Sequence, residues 1–138
     1  MTATRKIKVV IAKAGLDGHE RGAHAVTALL RDAGMETVYL GMFQTPRSIV
    51  TAAIDEDADV VGLSSLNGEH VHFTQRVIDE LRAEGLDDVL VIVGGIVPAE
   101  DVPVLNEMGV SGVFRAGTLF GEIRSFINEN VRAERPLA

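Results

Sequence analysis

The sequence contains no cysteine, which excludes disulfides, thiolate metal sites and cysteine nucleophiles. It also lacks an excess of basic residues, because 13 Lys and Arg stand against 20 Asp and Glu and give a net charge of −7. This acidic balance disfavours binding to nucleic acid, which requires a basic surface. No run approaches the roughly 18 apolar residues of a membrane span, and the N-terminal apolar run, interrupted by Lys8 and Lys13, makes a poor signal peptide. We therefore expect a cytoplasmic protein that binds neither nucleic acid nor a membrane.

The length of 138 residues excludes a complete (β/α)₈ barrel, which typically needs about 250 residues. It corresponds to one domain, and we expect a single domain over 1–138 with an ordered core at about 6–132. The hydrophobic fraction of 46% is typical of a packed globular domain and too high for a disordered chain. If the protein takes part in demanding catalysis, the part that holds the substrate is expected on another chain.

Five short, nearly continuous apolar runs alternate with helical patterns along the chain. These runs predict strands at 7–12, 37–40, 59–64, 89–93 and 112–115. Continuous apolar strands are typical of a parallel sheet covered on both faces. Right-handed crossovers then give an α/β fold with a five-stranded, doubly wound, flavodoxin-like sheet in the order 2-1-3-4-5. Ligands of such sheets bind beyond the carboxyl ends of the strands, at the switch point between strands one and three.

Apolar side chains spaced three and four residues apart predict the buried faces of the helices. The four sets are Val26, Leu29, Leu30 and Ala33; Ile49, Val50, Ala53 and Ile54; Thr74, Val77, Ile78 and Leu81; and Phe120, Ile123, Ile127 and Val131. Glycine is predicted just after the last turn of three helices, at Gly34, Gly85 and Gly109. Proline is predicted at a first helical position at Pro46 and Pro98. The acidic group Asp55, Glu56, Asp57 and Asp59 is interpreted as a solvated helix end and loop.

The segment 13–22 after strand one is long for a strand-to-helix loop and carries polar residues. Asp17 and His19 are two residues apart, so in an extended loop both side chains can lie on one side. An aspartate that accepts from one imidazole nitrogen leaves the other free to bind a metal, and Lys13 can hold the charge of Asp17. The pattern predicts a lysine–aspartate–histidine relay aimed at a metal or proton site. An exposed histidine beside a surface aspartate is an equally open interpretation at this point.

Three motifs in this sequence resemble those of cobalamin-binding domains that bind the cofactor base-off, with a histidine as the lower ligand. D-x-H-x-x-G occurs at 17–22, S-x-L at 64–66 and a pair of glycines at Gly94 and Gly95, each after the expected strand. The motif K-x-G-L-D-G-H is similar to the corresponding sequence of acyl-CoA mutases of the methylmalonyl and isobutyryl type. Free-standing small subunits of isobutyryl- and 2-hydroxyisobutyryl-type mutases have this length.

The resemblance implies a role for each matching residue. His19 would be the lower axial ligand of cobalt and the metal-binding residue, and Lys13, Asp17 and His19 together would form the catalytic set. The Ser64 hydroxyl would meet the benzimidazole nitrogen of the nucleotide tail, and the tail phosphate would meet amides near 116–118, where A-G-T replaces the family's P-G-T. The implied cofactor-binding residues are Leu16, Asp17, Gly18, His19, Glu20, Arg21, Gly22, Ser64, Ser65, Leu66, Gly94, Gly95, Ile96, Ala116, Gly117 and Thr118.

The resemblance also implies a function, a cofactor and a partner. The chain would bind adenosylcobalamin as the small subunit of a radical acyl-CoA mutase, a carbon-skeleton isomerase. It would be inactive without a large subunit whose barrel binds the acyl-CoA and sets the choice of substrate.

Two other function classes are weighed against the mutase subunit. The first is a cobalamin sensor or methyl carrier, but these usually carry an output domain or a preceding helical bundle. The second is a flavodoxin or receiver domain that shares only the fold. Segment 13–22 lacks the Ser and Thr of a flavodoxin phosphate loop, and Ser64 stands where a receiver has an aspartate.

Overall fold

The computed structural model describes residues 6–13, 21–41, 44–65 and 70–131, including five strands and five α-helices. The strands are β1 (Lys8–Lys13), β2 (Glu36–Tyr39), β3 (Val60–Ser65), β4 (Leu90–Gly95) and β5 (Gly112–Arg115). The helices are α1 (Arg21–Asp32), α2 (Pro46–Glu56), α3 (His70–Ala83), α4 (Val102–Met108) and α5 (Phe120–Asn130), with a 3₁₀ turn at Ala99–Asp101. Across these four ranges, no helix combines the length and the apolar character needed to cross a membrane.

The five strands are all parallel and lie in the order β2-β1-β3-β4-β5, which confirms the predicted sheet. The predicted bounds of β5 are confirmed, and those of the other four strands were wrong by one or two residues. β1, β3 and β4 continue through Lys13, Ser65 and Gly95, because ladder pairing does not stop where the apolar run stops. Lys13 and the glycine pair, predicted in loops, are therefore strand residues. In the register, Lys13 pairs with Ser64 and Ser64 pairs with Gly94.

Successive side chains of each central strand go to opposite faces of the sheet. Val10 and Ala12 of β1 pack in one core with residues of α2, α3 and α4. Val9 and Ile11 pack in a second core with residues of α1 and α5. We call the second side of the sheet the α1/α5 face.

The predicted faces of the helices are partly confirmed. All four predicted residues of α3 are buried. Leu29 of α1 and Ile54 of α2 were predicted to be buried but are 41% and 43% exposed, and Ala33 is also exposed. The buried face of α1 is formed instead by Ala23, Thr27 and Leu30.

Helix boundaries follow the predicted capping residues with one exception. Pro46 is the first residue of α2, and Thr45 caps this helix through a reciprocal bond with Ser48. Pro98 precedes the 3₁₀ turn instead of starting a helix; α4 begins only at Val102. The three predicted helix-ending glycines all have positive φ, of 92° at Gly34, 75° at Gly85 and 111° at Gly109.

A charged cluster lies at the amino ends of β1 and β2. Lys8 Nζ is 2.8 Å from Glu36 Oε2 and 3.4 Å from Glu56 Oε1. The Lys8 amide donates to Asp59 Oδ2 at 2.9 Å. Asp59 is fully buried, so its interpretation as part of a solvated acidic group was wrong. Its carboxylate instead satisfies the backbone where β1 begins.

This cluster makes the free energy of unfolding depend on pH in the alkaline range. The hydrogen bond that Lys8 donates to Glu36, together with the charges of Glu36 and Glu56, holds the pKa of Lys8 above 10.5, although burial acts against it. The stabilisation is fully present below 10.5 and is lost as pH rises through the folded-state pKa. We expect Lys8→Met to reduce the free energy of unfolding by less than about 1 kcal/mol at pH 8, because Glu36 is half-exposed.

The measurement is urea unfolding of wild type and Lys8→Met at pH 8 and pH 11, with exposed Lys6→Met as the control. The difference between wild type and Lys8→Met should shrink at pH 11. A difference that stays constant between the two pH values would show that the ammonium charge contributes nothing.

Candidate functional site

A cavity of about 500 Å³ lies on the α1/α5 face at the carboxyl ends of β3, β4 and β5. The strands form its floor, the first turns of α1 form one wall, and the segment after β5 closes one end. This is the predicted switch-point edge of the sheet, and the volume is ordinary for a small-molecule site.

Two strand positions beside the cavity are glycine, Gly62 and Gly94, and both lie on the α1/α5 face. A Cβ on Gly62 would be 2.8 Å from Ile11 Cδ1, so the close packing of Ile11 requires glycine there. A Cβ on Gly94 would be 3.3 Å from the Phe114 carbonyl oxygen. The alternating residues Leu63 and Val93 are buried in the opposite core and also border the cavity.

Small residues also form the α1 wall of the cavity. Gly22, Ala23 and Ala25 line it at the start of the helix. A Cβ placed on Gly22 would meet no heavy atom within 4 Å, so the wall is open at this position. α1 begins at Arg21, so Gly22 is a helical residue at the cavity rim.

Ser64 gives the apolar cavity a hydroxyl group. Lys13 is completely buried at the end of β1, and its Nζ donates a hydrogen bond to Ser64 Oγ at 3.3 Å. An ammonium group has donors and no acceptor, so Ser64 must accept in this bond and keeps its own O–H to donate. The structure thus brings together Lys13 and Ser64, which the sequence had assigned to separate roles.

A tight turn after β5 closes the cavity. The Ala116 amide donates to the Gly95 carbonyl at 2.9 Å, which ties this turn to the end of β4. The Thr118 hydroxyl donates to the Arg115 carbonyl at 2.7 Å, and Gly117 has a φ of 96° that favours glycine. Two large apolar side chains near this turn are exposed: Ile96 is 60% exposed and Leu119 is 71% exposed.

Half of the predicted cofactor-binding residues line this one cavity. They are Gly22, Ser64, Gly94, Gly95, Ile96, Ala116, Gly117 and Thr118. Others lie outside the described residues: Leu16, Asp17, Gly18, His19, Glu20 and Leu66. For Arg21 and Ser65 the structure describes the backbone and not the side chain. Their roles stay predictions.

The sequence motifs did not identify Gly62 and Phe114, which line the cavity. The signal for Gly62 was its place two residues before Ser64, because alternate residues of a strand share a face. Arg115, the last residue of β5, also borders the cavity, but its Nε donates to the carbonyl of Val97, which belongs to the core on the opposite face.

Within the described part of the chain, no group of three His, Asp or Glu side chains converges on a possible metal site. His72 is exposed on α3. His24 packs edge-on against Tyr39, with ring centroids 4.5 Å apart. The predicted metal ligand, His19, belongs to the segment between Lys13 and Arg21 that is not described.

Residues 7–123 match the family model of the B12 binding domain. The chain belongs to this family. This B12-binding domain is 44% identical to the pivalyl-CoA mutase small subunit of Xanthobacter autotrophicus over 135 residues, which cover 96% of the chain and 90% of that subunit. It is 40% identical to the 2-hydroxyisobutanoyl-CoA mutase small subunit of Aquincola tertiaricarbonis over 88% of the chain and 92% of that subunit. The resemblance to small subunits of acyl-CoA mutases is confirmed.

The fold of this B12-binding domain also matches a solved structure. A cobalamin-binding protein from Desulfitobacterium hafniense superimposes with a TM-score of 0.76 at 25% sequence identity. The match covers 88% of this chain and 60% of that protein. The flavodoxin-like cobalamin-binding fold is therefore confirmed.

Proposed function

We propose that this chain is the small subunit of an acyl-CoA mutase, that it binds adenosylcobalamin base-off, and that its cavity holds the nucleotide tail of the cofactor. The observation that carries the proposal is the cavity itself, with its glycine floor and a serine hydroxyl at the edge. Two relatives that are mutase small subunits match this chain over nearly their whole length, which supports the assignment to a mutase.

The residues around the cavity fit a flat heterocycle and its ribose. The lining is mainly apolar, and the missing side chain at Gly94 leaves the backbone open to a ring. Ser64 accepts from Lys13 and so retains a donor for a ring nitrogen. A neutral nitrogen acceptor such as that of benzimidazole suits this single donor.

The proposed lower ligand of cobalt comes from the sequence between β1 and α1. β1 ends at Lys13 and α1 begins at Arg21, so D-x-H-x-x-G joins two elements that meet at the cavity edge. In the proposal, His19 ligates cobalt and Asp17 accepts from its other imidazole nitrogen, which fixes the tautomer. The buried ammonium of Lys13 stabilises the Asp17 carboxylate, because a charge is retained in a core only beside compensating groups.

Adenosylcobalamin supplies a cobalt–carbon bond that breaks homolytically and starts radical chemistry. The residues of this chain hold and orient the cofactor. Acyl-CoA binding is proposed to belong to a barrel on a separate large subunit, which also selects among acyl thioesters. The cytoplasmic location stays a prediction.

The test is a titration of the purified chain with adenosylcobalamin and hydroxocobalamin, followed by absorbance. We expect saturable binding near one cofactor per chain, with the absorbance of a base-off, histidine-ligated corrinoid. Absence of any bound corrinoid with excess cofactor would overturn the proposal.

A matched pair of variants tests whether the tail occupies the cavity. Gly22 and Gly121 are each the second residue of a helix, and neither Cβ would meet an atom within 4 Å. Only Gly22 lines the cavity. We expect Gly22→Phe to weaken cobalamin binding by about tenfold or more, because the ring narrows the cavity rim. Gly121→Phe should bind normally.

Neither substitution should destabilise the fold, because phenylalanine is a better helix former than glycine by roughly 0.5 kcal/mol. Thermal unfolding of both variants checks this expectation. If Gly22→Phe bound cobalamin as tightly as Gly121→Phe, the tail would have to lie elsewhere.

A further inference from the structure

Three residues that line the cavity form one row across the sheet. Ser64 of β3 pairs in register with Gly94 of β4, and Gly94 pairs with Phe114 of β5. All three line the cavity on the α1/α5 face. The row therefore changes character across the cavity: it has a hydroxyl at one side, no side chain in the middle and an aromatic ring at the other side.

The width of this row suits a flat bicyclic ring. Neighbouring strands are about 4.8 Å apart, so β3 and β5 are separated by roughly 10 Å. A bicyclic base that lies over Gly94 and accepts a hydrogen bond from Ser64 directs its opposite edge toward Phe114. The two edges of such a base therefore meet different chemistry.

The ring of Phe114 is held in place from behind. It packs edge-on against Phe126 of α5, with ring centroids 5.3 Å apart and planes at 72°. Both rings pack against the core of the α1/α5 face, but only Phe114 lines the cavity. Phe114 thus presents a fixed apolar surface to whatever occupies the space above Gly94.

The surroundings of Phe114 are apolar as well. Ile92 of β4, Val26 of α1 and Ile123 of α5 line the cavity on the same face. Among the described residues that line it, none carries a carboxylate or a side-chain amide, and the hydroxyl of Thr118 donates to a backbone carbonyl. A polar group buried at this side would lose its hydrogen bonds to water without replacing them.

We propose that Phe114 makes the cavity selective for corrinoids whose lower base has an apolar edge. This inference rests on the proposed function and specifies the class of base that the cavity admits. Dimethylbenzimidazole has only C–H and methyl groups on its six-membered ring, whereas the six-membered ring of adenine carries two nitrogens and an amine. Both bases offer a ring nitrogen to Ser64, so the hydroxyl does not distinguish them and Phe114 does.

The test is a titration with three corrinoids: cobalamin, the analogue with adenine as its lower base, and cobinamide, which has no base. We expect wild type to bind cobalamin at least about tenfold more tightly than the adenine analogue, because burial leaves polar groups of adenine unpaired. Phe114→Gln places an amide at this edge and should bring the two affinities within about threefold of each other. Phe114→Leu, which stays apolar, should keep the preference.

Matched variants separate selectivity from packing. Phe126→Leu loosens the same pair of rings without changing the cavity lining, and it should keep the preference for cobalamin. Ser64→Ala should weaken both base-containing corrinoids by a similar factor. Cobinamide should bind alike to wild type and to the Phe114 variants. Thermal unfolding checks that each variant folds, and Phe114→Tyr, which keeps the ring and adds one hydroxyl, provides a milder polar change that should narrow the preference in part.

The outcomes distinguish this inference from the proposed function. If wild type binds no corrinoid, the proposed function fails. If wild type binds cobalamin and the adenine analogue equally, the selectivity is wrong and the proposed function stands. A preference that persists in both Phe114→Gln and Phe114→Tyr, or that disappears in Phe126→Leu or Ser64→Ala, would show that Phe114 is not the residue that selects the base.

Discussion

Replacing His19 with alanine is expected to weaken cobalamin binding by on the order of 100-fold and to remove the spectrum of a histidine-ligated corrinoid. The physical reason is that His19 supplies the proposed coordination bond to cobalt. Mutation of a residue that only hydrogen-bonds a metal ligand typically lowers metal affinity by about 10–100-fold. Asp17→Asn should accordingly give an intermediate loss, because the imidazole remains but its tautomer is no longer held. Absorbance titrations with hydroxocobalamin measure both effects.

Two controls make the His19 result specific. His72→Ala removes an exposed histidine from α3 and should leave binding and spectrum unchanged. Added imidazole should restore the ligated spectrum of His19→Ala, since it replaces the missing nitrogen without altering the cavity. If His19→Ala keeps the wild-type spectrum, another group ligates cobalt, even if the tail still binds in the cavity.

The isolated chain is expected to show no isomerase activity, and activity should appear when a large mutase subunit is added. The described residues form one sheet whose cavity lies beside the strands and is assigned to the cofactor tail. Radical chemistry also requires a closed, water-free substrate site above the corrin, and the strands and helices of the described residues do not form the barrel that is proposed to provide it. The expected change is from undetectable to measurable turnover.

The assay combines the chain, adenosylcobalamin and candidate acyl-CoA thioesters, with and without a large mutase subunit. Isobutyryl-, 2-hydroxyisobutyryl-, methylmalonyl- and ethylmalonyl-CoA are the thioesters to compare. Gly121→Phe should support turnover with the large subunit. Gly22→Phe should support little turnover when the cofactor concentration is limiting. Turnover by the chain alone would refute the two-subunit proposal.

The sheet and its order could be predicted because the apolar runs are long, regular and bounded by turn residues. Strand ends could not, since Lys13 and Gly95 extend β1 and β4 through hydrogen bonds that an apolar pattern does not contain. Periodicity also failed to decide which of two adjacent apolar residues faces the sheet. In α1 it is Leu30 that is buried while Leu29 is exposed.

Of the predicted site residues, Ser64 and Gly94 are each marked by a motif at the end of a strand, and both line the cavity. The motifs did not predict the bond from Lys13 to Ser64, which depends on the register of β1 against β3. Asp59 was misjudged because a run of acidic residues gives no sign of which member turns inward.

The alternation of side chains along β3 and β4 gives neighbouring residues separate constraints. Leu63 and Val93 are restricted by packing against helices on one face, while Gly94, next to Val93, is restricted by the space it leaves on the other. Sequence change on the first face would alter the stability of the fold, and change on the second would alter the shape of the ligand it admits. The two properties can therefore diverge independently within the same pair of strands.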